Sequence, residues 1–209
     1  MNKKRILFIS SIAATDTQLR VIDEIGVIEP LLLSGENRDD FNFITKLTVQ
    51  ANNLTKTIIG NASDDSPFIL HFSLHGNQNK GLKFVGNNLT INYQNTAFFE
   101  DILSEMIIRN QKIKCVIFNA CHSLQLAQSI IPFVDYAIGV QGFIADRASI
   151  EFSRGFYSQL FDNNNEAQTF ESSFRVGLLY IRQWMRDENI QIEDEGVSYD
   201  KRFQLFCKP

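Results

Sequence analysis

Phe68-Ile69-Leu70-His71-Phe72-Ser73-Leu74-His75-Gly76 and Lys114-Cys115-Val116-Ile117-Phe118-Asn119-Ala120-Cys121-His122-Ser123 decide how this chain is read. Each is a short apolar run of the kind that makes a strand buried on both faces. Each stops at a small polar cluster, His-Gly in one and Asn-Ala-Cys in the other. Open α/β sheets bind ligands where strands end, so a reactive side chain there is presented at the sheet's edge. An imidazole and a thiol in those two places pair a nucleophile with its base.

The flanking sequence supplies the rest of such a sheet. Residues 5–11 read as a first buried strand, followed by a turn in which Thr15 or Asp16 can cap a helix on Leu19, Ile22 and Ile28. Pro30 is expected to kink or interrupt that helix. Residues 41–47 alternate as a more exposed strand, and residues 48–59 form a second helix. Leu82 to Val85 and Leu89 to Ile91 flank Gly86-Asn87-Asn88, a hairpin signal that places a small flap beside the His-bearing loop. Phe98, Ile102, Leu103, Met106 and Ile107 keep helical period. Leu124, Ala127 and Ile131 predict a helix starting directly after Cys121. Residues 134–140 are a further strand, and residues 146–160 a helix with Asp146 as a plausible cap. Asp162 to Asn165 is a linker, Phe170, Phe174, Gly177, Ile181 and Trp184 step along one face of a long helix, and residues 203–207 are a last strand. Strands alternating with helices argue for a mostly parallel sheet covered on both sides.

Composition bounds the function. With 209 residues, 44% of them apolar, residues 1–209 suit one domain. The apolar run after Met1-Asn2-Lys3-Lys4-Arg5 is too short for a signal-peptide core or a membrane span, so the expectation is a soluble, cytoplasmic protein without a membrane partner. The net charge of −4, without basic blocks, gives no nucleic-acid footprint. Three cysteines, Cys115, Cys121 and Cys207, include no CxxC pair, and three histidines make no HExxH, so neither a disulfide framework nor a metal site is expected.

A thiol attacks a carbonyl only as thiolate. A neighbouring imidazole, the dipole of a helix beginning after Cys121 and its first N–H groups would favour the thiolate and a developing oxyanion. Gly76 would let the backbone approach closely and offer a second N–H. Cysteine before a helix is common in structural settings too, so the residues alone permit this arrangement without compelling it.

Phe72 to Gly76 and Asn119 to Ser123 resemble the His-Gly and Asn-Ala-Cys signatures of the CHAT proteases, caspase-like cysteine peptidases of the caspase–separase–gingipain clan. The spacing is close to the roughly 50 residues between His and Cys in caspases. The likeness extends to residues 11–24, 135–142 and 146–160, most of the chain. It implies an α/β fold, a caspase-like three-layer sandwich. Its mostly parallel sheet of about six strands would carry helices on both faces and a small β-hairpin after the His loop. It further implies a cysteine endopeptidase with no cofactor. By motif position His75 is the base or acid and Cys121 the nucleophile. The N–H groups of Gly76 and Cys121 form the oxyanion hole, and Asn119, Asp16 and Asp146 line the substrate pocket. A pair of pocket aspartates would favour Lys or Arg before the cut. Leu74 departs from the small residue that many relatives carry there.

The remaining candidates have plainer readings. His71 reads as a buried, hydrogen-bonded core residue, Cys115 as core, Cys207 as structural, His122 as a surface or supporting residue, and the acidic residues 186–195 as a solvated loop. The expected partners are one protein substrate and an activating protein or upstream protease, in a prokaryotic defence or stress pathway. The rivals are a catalytically silent CHAT-like interaction module and a doubly wound nucleotide-binding domain. The second lacks any glycine-rich loop at Ser10-Ser11-Ile12-Ala13-Ala14.

Overall fold

A computed structural model describes residues 3–11, 20–61, 68–111, 113–162, 169–190 and 196–208. Among these residues nine strands form two sheets. The larger has the order β2 (Phe41–Lys46), β1 (Lys4–Ile9), β3 (Phe68–Ser73), β7 (Cys115–Asn119), β8 (Tyr136–Val140) and β9 (Phe203–Cys207). Its first five strands are parallel and β9 is antiparallel to β8.

The period-two alternation of each strand divides the core in two. Leu7, Ile9, Leu70, Phe72, Val116 and Phe118 face α2 (Leu54–Asn61), α3 (Thr96–Ile108) and α4 (Leu124–Ser129). Ile6, Phe8, Ile69, Cys115 and Ile117 face α1 (Val21–Ser34), α5 (Asp146–Asp162) and α6 (Thr169–Asp187). This is the expected caspase-like sandwich. The flap is a second antiparallel sheet, β4 (Gly76–Asn77), β5 (Gly81–Val85) and β6 (Ile91–Gln94), with β4 added to the expected hairpin. A short helix α7 (Tyr199–Arg202) leads into β9.

Two helix boundaries differ from expectation. Pro30 does not interrupt α1, which runs unbroken through it. Pro30 and Gly26 lie on the exposed side of the helix, where water can take the carbonyl that loses its N–H partner. The acidic segment after Arg186 is helical as far as Asp187, because the apolar stripe of α6 continues to Trp184 and Met185. The aromatic stripe of α6 is core as read, and Gly177 lets it lie close on α5: a Cβ there would sit 2.8 Å from the Phe152 ring. Thr15, Asp16 and Asn163 to Asn165 lie outside the described residues. No helix among those described is long and apolar enough to cross a membrane.

The β3–β7 register pairs Ser73 with Asn119. The His-Gly and Asn-Ala-Cys segments therefore leave adjacent strands at the same level, at the carboxyl edge of the sheet, where such sheets build their sites.

Candidate active site

On the histidine side, β3 passes through buried Leu74 to half-buried His75 and bends into β4. The His75 carbonyl accepts the Lys83 N–H at 2.9 Å. That bond makes Gly76–Leu82 a non-hydrogen-bonded pair, so the Gly76 N–H points away from β5 and is spared from the ladder. Gly76 packs directly on the nucleophile segment: a Cβ there would lie 1.7 Å from the Cys121 carbonyl oxygen. Only glycine permits this approach, and through it the two motifs meet.

On the cysteine side, the expected helix directly after Cys121 is absent. Cys121 and His122 form a turn with His122 at φ 55°, and α4 begins at Leu124 and spans six residues. Ser123 explains the difference. Its hydroxyl bonds the carbonyls of Phe118 (2.9 Å) and Ala120 (2.8 Å) and accepts the Val140 N–H (3.0 Å), which folds the strand end back before a helix can start. The His122 N–H donates to the Gly142 carbonyl at 2.8 Å, and the His122 ring packs on Phe143. No long helix therefore starts at Cys121 to favour its thiolate.

Cys121 is half-buried, and its Sγ accepts the Ile144 N–H at 3.3 Å. Burial pushes its thiol above the ordinary value; the Ile144 amide opposes the rise, Asp146 adds to it, and Arg202 lowers it again. The group therefore rests as a thiol and needs a base to become a nucleophile. Asp146 opens α5 and accepts the Arg20 backbone N–H. Burial raises its carboxyl, while His75 and Arg20 pull it down.

Cys121, His75, Asn119 and Asp146 line one cleft, and Glu24 lies at its buried floor. Glu24 Oε1 accepts from Asn119 Nδ2 (2.8 Å) and Ser153 Oγ (2.5 Å), and Oε2 accepts from Ser73 Oγ (2.6 Å). His71 Nε2 lies 3.1 Å from Oε1 but off the line of a hydrogen bond, so that contact is electrostatic. Burial alone would raise the Glu24 carboxyl; His71 and the hydroxyl donors hold it below its ordinary value. The other His71 nitrogen meets the Tyr157 hydroxyl at 2.9 Å, as suits a buried, bonded histidine. Asn119 Nδ2 faces acceptors on Glu24, Ser149 and Ser153, which fixes its amide, and buried Oδ1 has no donor among the described residues. Cys115 is core as read, whereas Cys207 is exposed.

Reading the sequence missed Glu24, the Ile144 amide and Arg202. Glu24 had a signal: it falls with Val21, Ile25 and Ile28 on the buried stripe of α1, where a carboxylate needs partners. A backbone amide carries no such signal.

No family model matches the chain. It is 27% identical over 78% of its length to a Roc-COR-CHAT protease from an unknown prokaryotic organism. It is 28% identical over 81% to a Roc-COR-CHAT protease of Runella zeae. Over 46% of its length it is 31% identical to a probable protease of Gillisia limnaea. These matches span 15 to 17% of the relatives' own length. A secreted C11 cysteine protease from Bacteroides thetaiotaomicron, solved with an irreversible peptide inhibitor, superposes with a TM-score of 0.64 at 14% identity. That superposition covers all of this chain and 67% of the C11 protease. The fold is caspase-like, and two of these three sequence relatives are Roc-COR-CHAT proteases. The resemblance read from the His-Gly and Asn-Ala-Cys segments is thereby supported by matches that run well beyond both. At 14% identity the C11 structure speaks for the fold alone, so the roles of individual residues rest on the cleft itself.

Proposed function

We propose that the chain is a cysteine endopeptidase with His75 as base and acid and Cys121 as nucleophile. The observation that carries this is the packing of Gly76 on Cys121, which sets the two loops against each other at the mouth of one cleft. His75 takes the thiol proton as Sγ attacks the scissile carbonyl carbon. The carbonyl π pair moves to oxygen, where the N–H groups of Gly76 and Cys121 receive the charge. The intermediate collapses, the amine leaves with the proton from His75, and a thioester remains. Water, deprotonated by His75, attacks the thioester, and its collapse returns the thiol and a free carboxylic acid.

The cleft floor favours a cation before the cut. Among the described residues Glu24 Oε2 has a single donor and Asn119 Oδ1 has none, and Asp146 lines the same wall. A Lys or Arg side chain supplies the donors these acceptors lack. Glu24 thus joins the expected pocket carboxylates Asp16 and Asp146, of which Asp16 lies outside the described residues. The substrate is one protein. Cutting is controlled by a partner or an upstream protease, in a prokaryotic stress or defence pathway. The prokaryotic relatives support the setting, and the pathway rests on the resemblance alone.

A peptidyl acyloxymethyl ketone tests the reading. Labelling at Cys121 by the compound ending in Lys or Arg, lost in His75→Ala, is expected. Labelling only by compounds ending in Asp or Leu removes the specificity clause. Absence of labelling under every activating condition supports the silent interaction module instead.

A further inference from the structure

We propose that Arg202 is a positioning residue for the nucleophile, pinning the loop that holds the Ile144 amide against Cys121 Sγ. The proposal deepens the peptidase reading, on which the role of Cys121 rests. Arg202 is 1% exposed, one of the largest fully buried side chains in the molecule. Its Nη1 donates to the Phe143 carbonyl at 2.6 Å and its Nε to the Val197 carbonyl at 3.3 Å, and the guanidinium lies 5.8 Å from the Tyr199 ring centroid. Its own carbonyl accepts the Gln141 N–H at 2.8 Å.

The loop is thus gripped residue by residue. Gln141 and Phe143 are held by Arg202, Gly142 by the His122 N–H, and Ile144 by Cys121 Sγ. Phe143 leaves its ring exposed, so the guanidinium grips the backbone and not the side chain. Burying a guanidinium is costly, and a charged donor on a carbonyl in a dry site makes a strong, directional anchor. Gly142, at φ 69°, gives the loop the bend that turns both carbonyls to their donors. Among the described residues the charged groups acting on Sγ from the packed elements are Asp146 on α5 and Arg202 on α7; His75 lines the same cleft and, with Arg20, acts on Asp146. Asp146 disfavours the thiolate, and the Arg202 charge together with the loop it holds favours it.

The test follows alkylation of Cys121 by iodoacetamide against pH in the full chain. Mass spectrometry separates Cys121 from exposed Cys207. Arg202→Met should move the alkylation midpoint up by about half to one pH unit, with a roughly three- to tenfold slower rate at neutral pH. Arg202→Lys keeps a charge but loses the fork, and should fall between. Arg182→Met breaks the neighbouring 2.6 Å pair with Asp200 and should lower the melting temperature without moving the midpoint. A wild-type midpoint in folded Arg202→Met overturns the proposal; should that variant not fold, the same result in Arg202→Lys does so. The measurement reads the thiol itself. Failure of His75→Ala to alter peptidyl labelling would therefore sink the peptidase reading and leave the Arg202 result standing.

Discussion

The two faces of the large sheet are built from the same strands and could hardly differ more. One face of β3 and β7 presents Leu70, Phe72, Val116 and Phe118, and with Phe99 of α3 it is a dry aromatic cluster. The other presents His71, Ser73 and Asn119, which bury a polar cluster around Glu24 of α1, completed by Ser153 and Tyr157 of α5. Apolar burial is non-directional and roughly additive in area. Buried polar groups are directional, and each must find its partner or destabilise the fold. Both faces bury apolar side chains that stabilise the sheet, and the polar cluster on the second fixes where its strand ends point. Glu24 makes this concrete: it bonds Ser73, two residues before His75, and Asn119, two residues before Cys121.

The strongest way to break the comparison is to damage the dry face alone. Phe99→Ala removes a buried ring that meets Phe72 at 5.3 Å and Phe118 at 5.4 Å. It should cost about 3–5 kcal/mol in urea unfolding. The kcat/KM per folded molecule should stay within about twofold, since additivity holds for sites without shared partners. A large fall in kcat/KM would mean that the two faces are not separable.

Damage to the polar cluster should behave the other way. Glu24→Gln keeps the shape and removes the charge that three donors and His71 address. It should cost about 1.5–3 kcal/mol, the range for hydrogen bonds to a charged group, and lower kcat/KM as well because Ser73 and Asn119 lose their common tie. The folded-state pKa of Glu24 lies below its ordinary value. Its contribution is therefore complete above the ordinary carboxylate range and lost as pH falls through the lowered value. Wild type and Glu24→Gln should differ most at neutral pH and converge in acid, read by unfolding curves across that range. A constant difference down to low pH would remove the charge from the account.

The comparison also separates what the sequence reveals from what it hides. The strands were legible because burial on both faces leaves unbroken apolar runs such as residues 6–9 and 115–118. That His75 and Cys121 share one sheet edge was legible because the runs of β3 and β7 stop just before them. Asn119 was reached through the resemblance. The polar cluster was not legible: Glu24 and Asn119 lie 95 positions apart, and only the fold brings them together. The turn after Cys121 was misread because Leu124, Ala127 and Ile131 keep helical period, while a single side chain, Ser123, sets where the helix begins. The Ile144 amide belongs to the backbone, which every sequence has.

The smallest effect tests the boundary between the polar cluster and the nucleophile. Asp146 lines the cleft and pushes the Cys121 thiol up, while His75 and Arg20 hold its own carboxyl down against burial. Removing its charge therefore relieves the thiolate. Asp146→Asn should lower the iodoacetamide midpoint of Cys121 by up to about half a pH unit, since a nearby like charge disfavours the charged form. The shift is opposite in sign to that of Arg202→Met, because one group opposes the thiolate and the other favours it. With the peptidase active, the same variant should raise KM for a Lys or Arg peptide more than it lowers kcat, because a wall carboxylate contributes to binding before and during reaction alike. A midpoint that rises in Asp146→Asn would mean that the carboxylate acts on the thiol through His75 and not directly. It would then belong with the base, and the cleft wall would be left to Glu24 and Asn119.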